Sequence, residues 1–251
     1  MELKENERLD YVNDDLSLIQ NTTGLTFGTD ALLLASYINK RRKLGAELGA
    51  GSGIISLLLL SRNKIEVCDC YEVQEEYASL TRRNAEINDL ADRLNSFHMD
   101  IRDYISGEIY DAVYTNPPYM KTTSGFSNED EKKNLARHEV CGDISDFLKI
   151  AKLMLKYGGA FFAVYRCDRM PDLISAMREN SIEPKRLTLV HADASSAPSM
   201  LLVEGRKGGK VGLFMTPPLI IYKDKTHTDY SEDMQYINDK GFFPEKFKKR
   251  K

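Results

Sequence analysis

The sequence predicts an α/β fold, with a mostly parallel, doubly wound sheet that ends in an antiparallel hairpin. Strand-like apolar runs alternate with helical runs from residue 44 to residue 180, which is the pattern of repeated strand–helix units. Two further strand-like runs, 186–191 and 200–206, have no helical run between them, so we expect them to pair antiparallel. A glycine-rich turn directly after the first strand of the series is typical of α/β folds that bind a nucleotide-like ligand.

The individual elements follow from periodicity and from residues that begin or end helices. The helix at 29–37 has Thr29 or Asp30 as its N-cap, and the amphipathic helix at 74–88 ends at Asn88-Asp89. The helix at 143–156 begins with Asp143 and ends at Gly158-Gly159. The other helix runs are 54–61, 172–180 and a short one near 102–105, and the parallel strand runs are 44–48, 65–71, 94–98, 110–115 and 160–165.

Three segments divide the chain. Residues 1–43 are expected to form a hairpin and a helix that pack on the core, residues 44–222 the main domain, and residues 223–251 a polar, basic tail. The tail ends in Lys246-Phe-Lys-Lys-Arg-Lys251, and both disorder and polyanion binding are open alternatives there. Residues 116–140 are expected to form a long polar loop.

Composition limits the class of protein. The 251 residues are 42% hydrophobic and 29% charged, which suits a packed core, and no apolar run is long enough to cross a membrane. The first residues are polar and acidic, unlike a signal peptide, and the four scattered cysteines suit neither a disulfide framework nor a zinc site. We therefore expect a protein of the reducing cytoplasm without a metal ion.

The charge is distributed unevenly along the chain. Residues 1–120 contain 12 Lys and Arg against 20 Asp and Glu, whereas residues 121–251 contain 23 against 18. The net charge of −3 by itself argues against a nucleic-acid partner, but the basic second part favours a polyanionic one.

The segment Glu47–Gly53 follows the first strand of the series and begins the next helix. Gly49, Gly51 and Gly53 alternate with other residues, so the chain can turn tightly and approach a ligand closely. The pattern lacks the third glycine of the dinucleotide fingerprint. Glu47 precedes the glycines, where a carboxylate can bind the ammonium group of a methionine moiety. These features favour S-adenosylmethionine (SAM) over a dinucleotide.

Acidic residues after the next two strands complete the predicted cofactor site. Glu72 can accept from both ribose hydroxyls, and Asp100 can accept from the adenine amine, with Ile101 against the ring. Thr29 or Asp30, at the start of the first helix, is a further candidate for contact with SAM. Ligands of open α/β sheets gather at the edge where these strands end.

The tetrapeptide Asn116-Pro117-Pro118-Tyr119 follows the fourth strand of the series. Two prolines remove two backbone donors and fix two φ angles, which makes a stiff turn. The Asn116 side-chain oxygen and the Pro117 carbonyl can each accept one N–H of a planar NH₂ group. Tyr119 can stack on its ring, an interaction worth about 1–3 kcal/mol per base. This set predicts a site that methylates an exocyclic or amide nitrogen, and no strong base is required.

The long loop contains Arg137-His138. These two residues can be interpreted either as substrate contacts or as part of an ordinary junction between the loop and the next helix. In the first interpretation Arg137 binds a phosphate, and His138 stacks on or bonds to a nucleotide.

With these motifs in hand, the chain resembles the bacterial methyltransferases that modify N6 of the adenosine immediately 3′ of the anticodon in valine tRNA. The segments that carry the resemblance are Gly24–Leu34, Glu47–Gly53, Asn116–Tyr119, Ala136–Glu139 and Leu202–Gly209. The resemblance implies a Rossmann-like class I methyltransferase fold, SAM as cofactor, tRNA as partner and the site roles given above. No obligate protein partner is evident, and the oligomeric state is open.

One stretch departs from the family. Residues 190–200, where relatives often carry basic residues, are small and uncharged apart from Asp193. Lys207, Lys210 and the C-terminal tail therefore become the candidates for phosphate contact.

Three alternatives remain. A protein glutamine-N5 methyltransferase shares the tetrapeptide, but such enzymes usually carry an N-terminal helical domain, and only about 46 residues precede Glu47 here. An adenine-N6 methyltransferase of ribosomal RNA or DNA is closer in chemistry. A non-catalytic SAM- or RNA-binding module is the third.

Overall fold

The computed structural model describes residues 3–13, 15–22, 27–105, 107–117 and 143–248. The strands are β1 (Glu7–Asn13), β2 (Leu16–Asn21), β3 (Arg42–Leu48), β4 (Ile65–Glu72), β5 (Leu94–His98), β6 (Tyr110–Thr115), β7 (Leu155–Arg166), β8 (Ile182–His191), β9 (Pro198–Lys207), β10 (Phe214–Met215) and β11 (Leu219–Ile220). The helices are α1 (Thr29–Tyr37), α2 (Ile54–Ser61), α3 (Glu75–Ile87), α4 (Ile144–Met154), α5 (Met170–Glu179) and α6 (Glu232–Lys240).

The central sheet of the described residues has the strand order β10-β8-β9-β7-β6-β3-β4-β5, and β11 also pairs with β8. Strands β3 to β7 pair parallel, whereas β9 runs antiparallel to both β7 and β8. Two edges follow from this order. The carboxyl edge holds the ends of the parallel strands, at Leu48, Glu72, His98 and Thr115, and the amino edge holds their beginnings.

Helices cover both faces of the sheet, which confirms the doubly wound α/β prediction. One apolar cluster contains Leu33 of α1, Leu58 of α2 and Ile237 of α6. The other contains Phe147 of α4 and Leu173 of α5. The predicted hairpin is also present, because β8 and β9 pair antiparallel from Ile182–Lys207 to His191–Pro198.

Most predicted elements lie within a few residues of their observed bounds. The helix predicted to reach residue 156 ends at Met154, because Leu155 already pairs with Tyr110 of β6. Helix α1 spans the predicted residues, but its N-cap is Gly28 and not Thr29 or Asp30.

The N-terminal hairpin of β1 and β2 is attached to α3 by two asparagines. Asn84 accepts from the Ile19 N–H at 2.7 Å and donates to the Ile19 carbonyl at 3.1 Å. Asn88 does the same with Ser17, at 2.9 Å and 2.7 Å. These side chains supply partners to backbone groups that the two-stranded sheet leaves unpaired.

Residues 223–248, which the sequence suggested as a polar tail, contain a helix and buried aromatic residues. Ser231 caps α6 by accepting from the Met234 N–H, and Phe243 and Phe247 are fully buried. The predicted cationic end is partly neutralised, since Lys246 lies 2.7 Å from Asp233 and Lys248 pairs with Glu245. The sequence pattern did not predict this helix or these buried aromatic residues, because the few apolar residues of the segment are widely spaced.

The longest helix in the described part of the chain, α3, has 13 residues. A membrane-spanning helix needs about 20 apolar residues. None of the described helices is long and apolar enough to cross a bilayer.

Candidate active site

The glycine-rich turn lies between β3 and α2 at the carboxyl edge. The Gly49 N–H donates to the Tyr71 carbonyl at 2.9 Å, which holds the turn against β4. Gly51 has a φ of 55°, and a Cβ built on it meets no atom within 4 Å. Gly53 has a φ of 78°, and its Cβ would lie 2.7 Å from Thr81 Cγ2. Gly51 therefore borders open space that suits a closely approaching ligand, whereas Gly53 allows α2 and α3 to pack.

Glu72, at the end of β4, is placed beside this turn. Its Oε2 accepts from the Gly51 N–H at 2.9 Å, and its Oε1 accepts from the Gln74 N–H at 3.0 Å. A carboxylate oxygen can accept two hydrogen bonds, so both oxygens keep capacity for a hydroxyl. The two backbone bonds fix the orientation of the Glu72 carboxylate beside the glycine-rich turn.

Asp100 lies one strand further along the same edge and is paired within its own turn. It accepts from the Arg102 N–H and from the Arg102 Nε, both at 2.9 Å, and these bonds hold the pKa of Asp100 below its ordinary value. An adenine amine would therefore share this carboxylate with Arg102. Ile101 is 7% exposed and belongs to the core on the α4 side of the sheet.

Glu47 lies inside the protein, with 1% of its surface exposed. Its Oε2 accepts from the Ser56 N–H at 3.0 Å and from the Ser56 Oγ at 2.6 Å, and the Ser56 Oγ also lies 2.7 Å from the Tyr114 hydroxyl. Burial, with a smaller effect from the charge of Glu72, raises the pKa of Glu47 to about 8. Glu47 thus anchors the first turn of α2, and the structure does not present it as the open carboxylate that the sequence suggested.

Asn116 follows β6 at the carboxyl edge. The Thr115 Oγ1 donates to the Leu48 carbonyl at 2.8 Å, which joins the ends of β6 and β3 directly before the asparagine and the glycine-rich turn. The Asn116 Nδ2 donates to the Asp30 Oδ2 at 2.8 Å. The start of α1 is thereby joined to the end of β6. Thr29, beside Asp30, is half-buried.

Four predicted residues lie outside the described part of the chain: Pro118, Tyr119, Arg137 and His138. Pro117 is described and buried. Among the described residues, no group of three or more His, Cys, Asp or Glu side chains is arranged to hold a metal ion.

The structure does not bring Lys207 and Lys210 to this site. Strand β9 returns antiparallel, so Met200 pairs with Arg166 near the carboxyl edge and Arg206 pairs with Ala160 toward the amino edge. The Lys207 Nζ is buried and donates to the Lys152 carbonyl at 2.6 Å and to the Leu155 carbonyl at 2.9 Å. Lys207 is therefore a structural residue, and the expectation that it binds substrate is corrected.

Sequence reasoning missed two polar partners of the site. Ser56 is the single polar residue in the apolar first two turns of α2. A buried hydroxyl needs a hydrogen-bond partner, so the sequence could have indicated a polar contact at this position. The contact between Asp30 and Asn116 joins residues 86 positions apart, and no local sequence pattern predicts it.

The fold, with a glycine-rich turn at the carboxyl edge of the sheet, is that of an α/β methyltransferase. The chain belongs to the methyltransferase small domain family, which matches residues 22–179. It is a SAM-dependent methyltransferase, and the open space at Gly51 beside the fixed carboxylate of Glu72 fits that cofactor.

Similar proteins carry a common name. A tRNA1(Val) (adenine(37)-N6)-methyltransferase of Dyadobacter fermentans is 26% identical over 206 residues, 81% of this chain and 85% of the relative. A protein of the same name from Aliivibrio salmonicida is 26% identical over 217 residues, 86% of this chain and 87% of the relative.

Solved structures confirm the fold. A predicted O-methyltransferase from Agrobacterium tumefaciens, protein Atu636, has a TM-score of 0.70 at 23% identity, covering 86% of this chain and 98% of that chain. TYW2 of M. jannaschii in complex with AdoMet has a TM-score of 0.55 at 13% identity, covering 82% of this chain and 87% of that chain.

Proposed function

We propose that this protein transfers a methyl group from SAM to N6 of an adenosine in tRNA, at the position immediately 3′ of the anticodon of valine tRNA. The observation that carries this proposal is the similarity, over more than four fifths of the chain, to relatives named for that reaction. The position of Asn116 beside the glycine-rich turn supports it.

The cofactor supplies an electrophilic methyl group when it is bound. Gly51 would allow its close approach, and Glu72 would hold its ribose hydroxyls. Asp100, already paired with Arg102, would accept from its adenine amine.

The amine of adenosine is a weak nucleophile because its lone pair is conjugated with the ring. In the proposed site, the Asn116 Oδ1 and the Pro117 carbonyl accept its two N–H groups and orient the nitrogen. As the nitrogen becomes tetrahedral, positive charge grows on it, and these fixed acceptors stabilise that charge. Tyr119 would stack on the base after it has left its own stack. After methyl transfer the nitrogen carries a positive charge, so it is acidic and can lose its proton late, and no side chain is required as a strong base.

The test is methyl transfer with purified protein and labelled SAM. We expect label in unmodified total tRNA and in a valine tRNA transcript, and N6-methyladenosine in the nuclease digest. The matched control is the same transcript with guanosine in place of the adenosine beside the anticodon, which should accept no label. Label in a release factor or in duplex DNA, with none in tRNA, would contradict the proposal.

A further inference from the structure

The carboxamide of Asn116 is held from the side of α1. Its Nδ2 donates to the Asp30 Oδ2 at 2.8 Å, and this bond joins the end of β6 to the first turn of the helix. The sequence suggested Asp30 as a cofactor contact, but the structure places its carboxylate against the residue that is proposed to orient the substrate amine.

The chemistry of the pair fixes which end of the Asn116 amide faces Asp30. An ionised carboxylate can only accept hydrogen bonds, so the end of the amide that faces it is the NH₂ group. The Oδ1 therefore lies at the opposite end of the planar amide. If the amide were turned by half a rotation, it would present donors in place of an acceptor, and a donor cannot bond to an amine N–H.

Asp30 is itself well fixed. Its Oδ1 accepts from the Ala31 N–H at 2.9 Å, so its two oxygens are bonded on different sides. The first turn of a helix also favours a negative charge. At Gly28, the preceding N-cap, a Cβ would lie 2.7 Å from the Asp30 Oδ1, so the absence of a side chain there gives the carboxylate room.

The far end of α1 is anchored as well, so the helix is a rigid support for Asp30. The buried Lys64 Nζ donates to the Ala35 carbonyl at 2.7 Å and to the Ser36 carbonyl at 3.3 Å. The Arg186 Nη2 donates to the Tyr37 carbonyl at 2.7 Å. Both contacts satisfy carbonyl groups that the end of a helix leaves unpaired.

We propose that Asp30 is a positioning residue that fixes the Asn116 carboxamide with Oδ1 toward the substrate and thereby keeps an acceptor in place for the N–H of the substrate amine. The proposal rests on the proposed function for its substrate, but the contact itself is a property of the protein alone. Asp30 acts through Asn116, and a direct role in holding SAM is not part of the proposal.

The first test is Asp30→Asn, which keeps the shape and removes one acceptor. If the new amide oxygen keeps the bond from the Ala31 N–H, its NH₂ faces the NH₂ of Asn116, and the Asn116 amide turns. We expect kcat for methyl transfer to fall about 10- to 100-fold, the scale of a lost hydrogen bond to a charged group, with SAM affinity unchanged. Asp172→Asn is the matched control, because Asp172 lies exposed in the first turn of α5, far along the chain, and should leave kcat unchanged.

The second test is reciprocal exchange. Asn116→Asp alone sets two carboxylates against each other, which should lower kcat for methyl transfer to a small residual rate. Combined with Asp30→Asn, the donor and the acceptor exchange sides, the bond forms again, and an acceptor oxygen still faces the substrate. We expect the double variant to be at least about tenfold faster than Asn116→Asp alone, since a restored bond to a charged group is worth that much.

A third measurement needs no substrate. In ¹⁵N-labelled protein, the side-chain amide signal of Asn116, assigned by its loss in Asn116→Ala, should shift in Asp30→Asn and not in Asp172→Asn. Unchanged kcat in Asp30→Asn, no recovery in the double variant, or an unshifted amide signal would overturn the inference. If the wild-type protein methylates no tRNA, the proposed function fails, and the amide signal still shows whether Asp30 holds the Asn116 amide.

Discussion

The two edges of the central sheet use charged side chains in opposite ways. At the carboxyl edge, Glu72 and Asp100 are bonded to groups of their own turns, and Asp30 is bonded to Asn116. At the amino edge, Lys207 is buried among carbonyl groups, and Lys156 pairs with Asp111 at 2.9 Å. The first edge places carboxylates beside the glycine-rich turn and Asn116, whereas the second edge pairs its lysines with carbonyl and carboxylate groups of other elements.

The comparison shows that a count of basic residues does not locate a nucleic-acid site. Residues 121–251 are basic as a whole, but strand direction decides which of their side chains lie near the carboxyl edge. Lys207 lies seven positions after Met200 on β9, and at about 3.3 Å per residue this places it roughly 23 Å along the strand from Met200 near the carboxyl edge.

The largest effect is expected at the carboxyl edge, for Asn116→Ala. Removal of a fixed polar group that acts on the transition state costs about 100- to 1,000-fold in kcat. SAM affinity should stay nearly unchanged, because Asn116 is proposed to contact the acceptor. Methyl-transfer assays measure kcat, and calorimetric titration measures the SAM affinity. Asn95→Ala is the control, because Asn95 is an exposed residue of β5. Loss of SAM binding in Asn116→Ala would show that the edge is not divided into acceptor and cofactor parts.

Glu72→Ala should have the complementary effect. It removes the proposed partner of the ribose hydroxyls and the acceptor that holds the Gly51 N–H, so SAM should bind about 10- to 100-fold more weakly. Glu75→Ala is the matched control, since Glu75 is exposed in the first turn of α3, three residues along the chain. Equal SAM affinity in both variants would remove Glu72 from the cofactor site.

The elements, the doubly wound sheet and the edge that carries the site could be predicted from the sequence, because hydrophobic periodicity and strand–helix alternation are local signals. Because Glu72, Asp100 and Asn116 each follow a parallel strand, the sequence also predicts that they lie at the same carboxyl edge of the sheet. The position of Lys207 at the far edge agrees with the predicted hairpin, since the second strand of a hairpin runs back toward the edge at which the first strand began.

What could not be predicted depends on contacts between distant parts of the chain. The bond between Asp30 and Asn116 and the burial of Glu47 against Ser56 and Tyr114 arise only when separate elements pack. An acidic residue before a glycine-rich turn has the same sequence signature whether it faces a ligand or the core. The C-terminal aromatic residues, exemplified by Phe247, likewise find their buried positions only against other elements.

Glu47→Gln tests whether the glutamate buried beneath the glycine-rich turn is protonated in the folded protein. The pKa of Glu47 is raised from 4.5 to about 8, so between these values the folded protein keeps a proton that the unfolded chain has lost. The free energy of unfolding should therefore fall as pH rises through this window, by up to about 1.4 kcal/mol per pH unit from this group.

In Glu47→Gln this part of the slope should be absent. Lys64, whose pKa is lowered to about 6 by burial, has the opposite slope above that value, but its contribution cancels in the difference between wild type and variant. Urea unfolding across the pH range gives that difference, and Glu66→Gln on exposed β4 surface is the control. Parallel curves for wild type and Glu47→Gln would mean that Glu47 is ionised in the folded protein.

The smallest effect is expected at the amino edge, for Lys210→Ala. The Lys210 side chain is exposed, and its backbone carbonyl accepts from the Lys185 Nζ at 2.7 Å, so the substitution should leave the fold intact. A lysine that contacts a phosphate adds about one unit to the slope of log affinity against log salt. For Lys210→Ala we expect that slope for tRNA binding to stay unchanged and KM for tRNA to change less than about twofold. A slope reduced by one unit would place the amino edge in the tRNA interface, and the functional division between the two edges would fail.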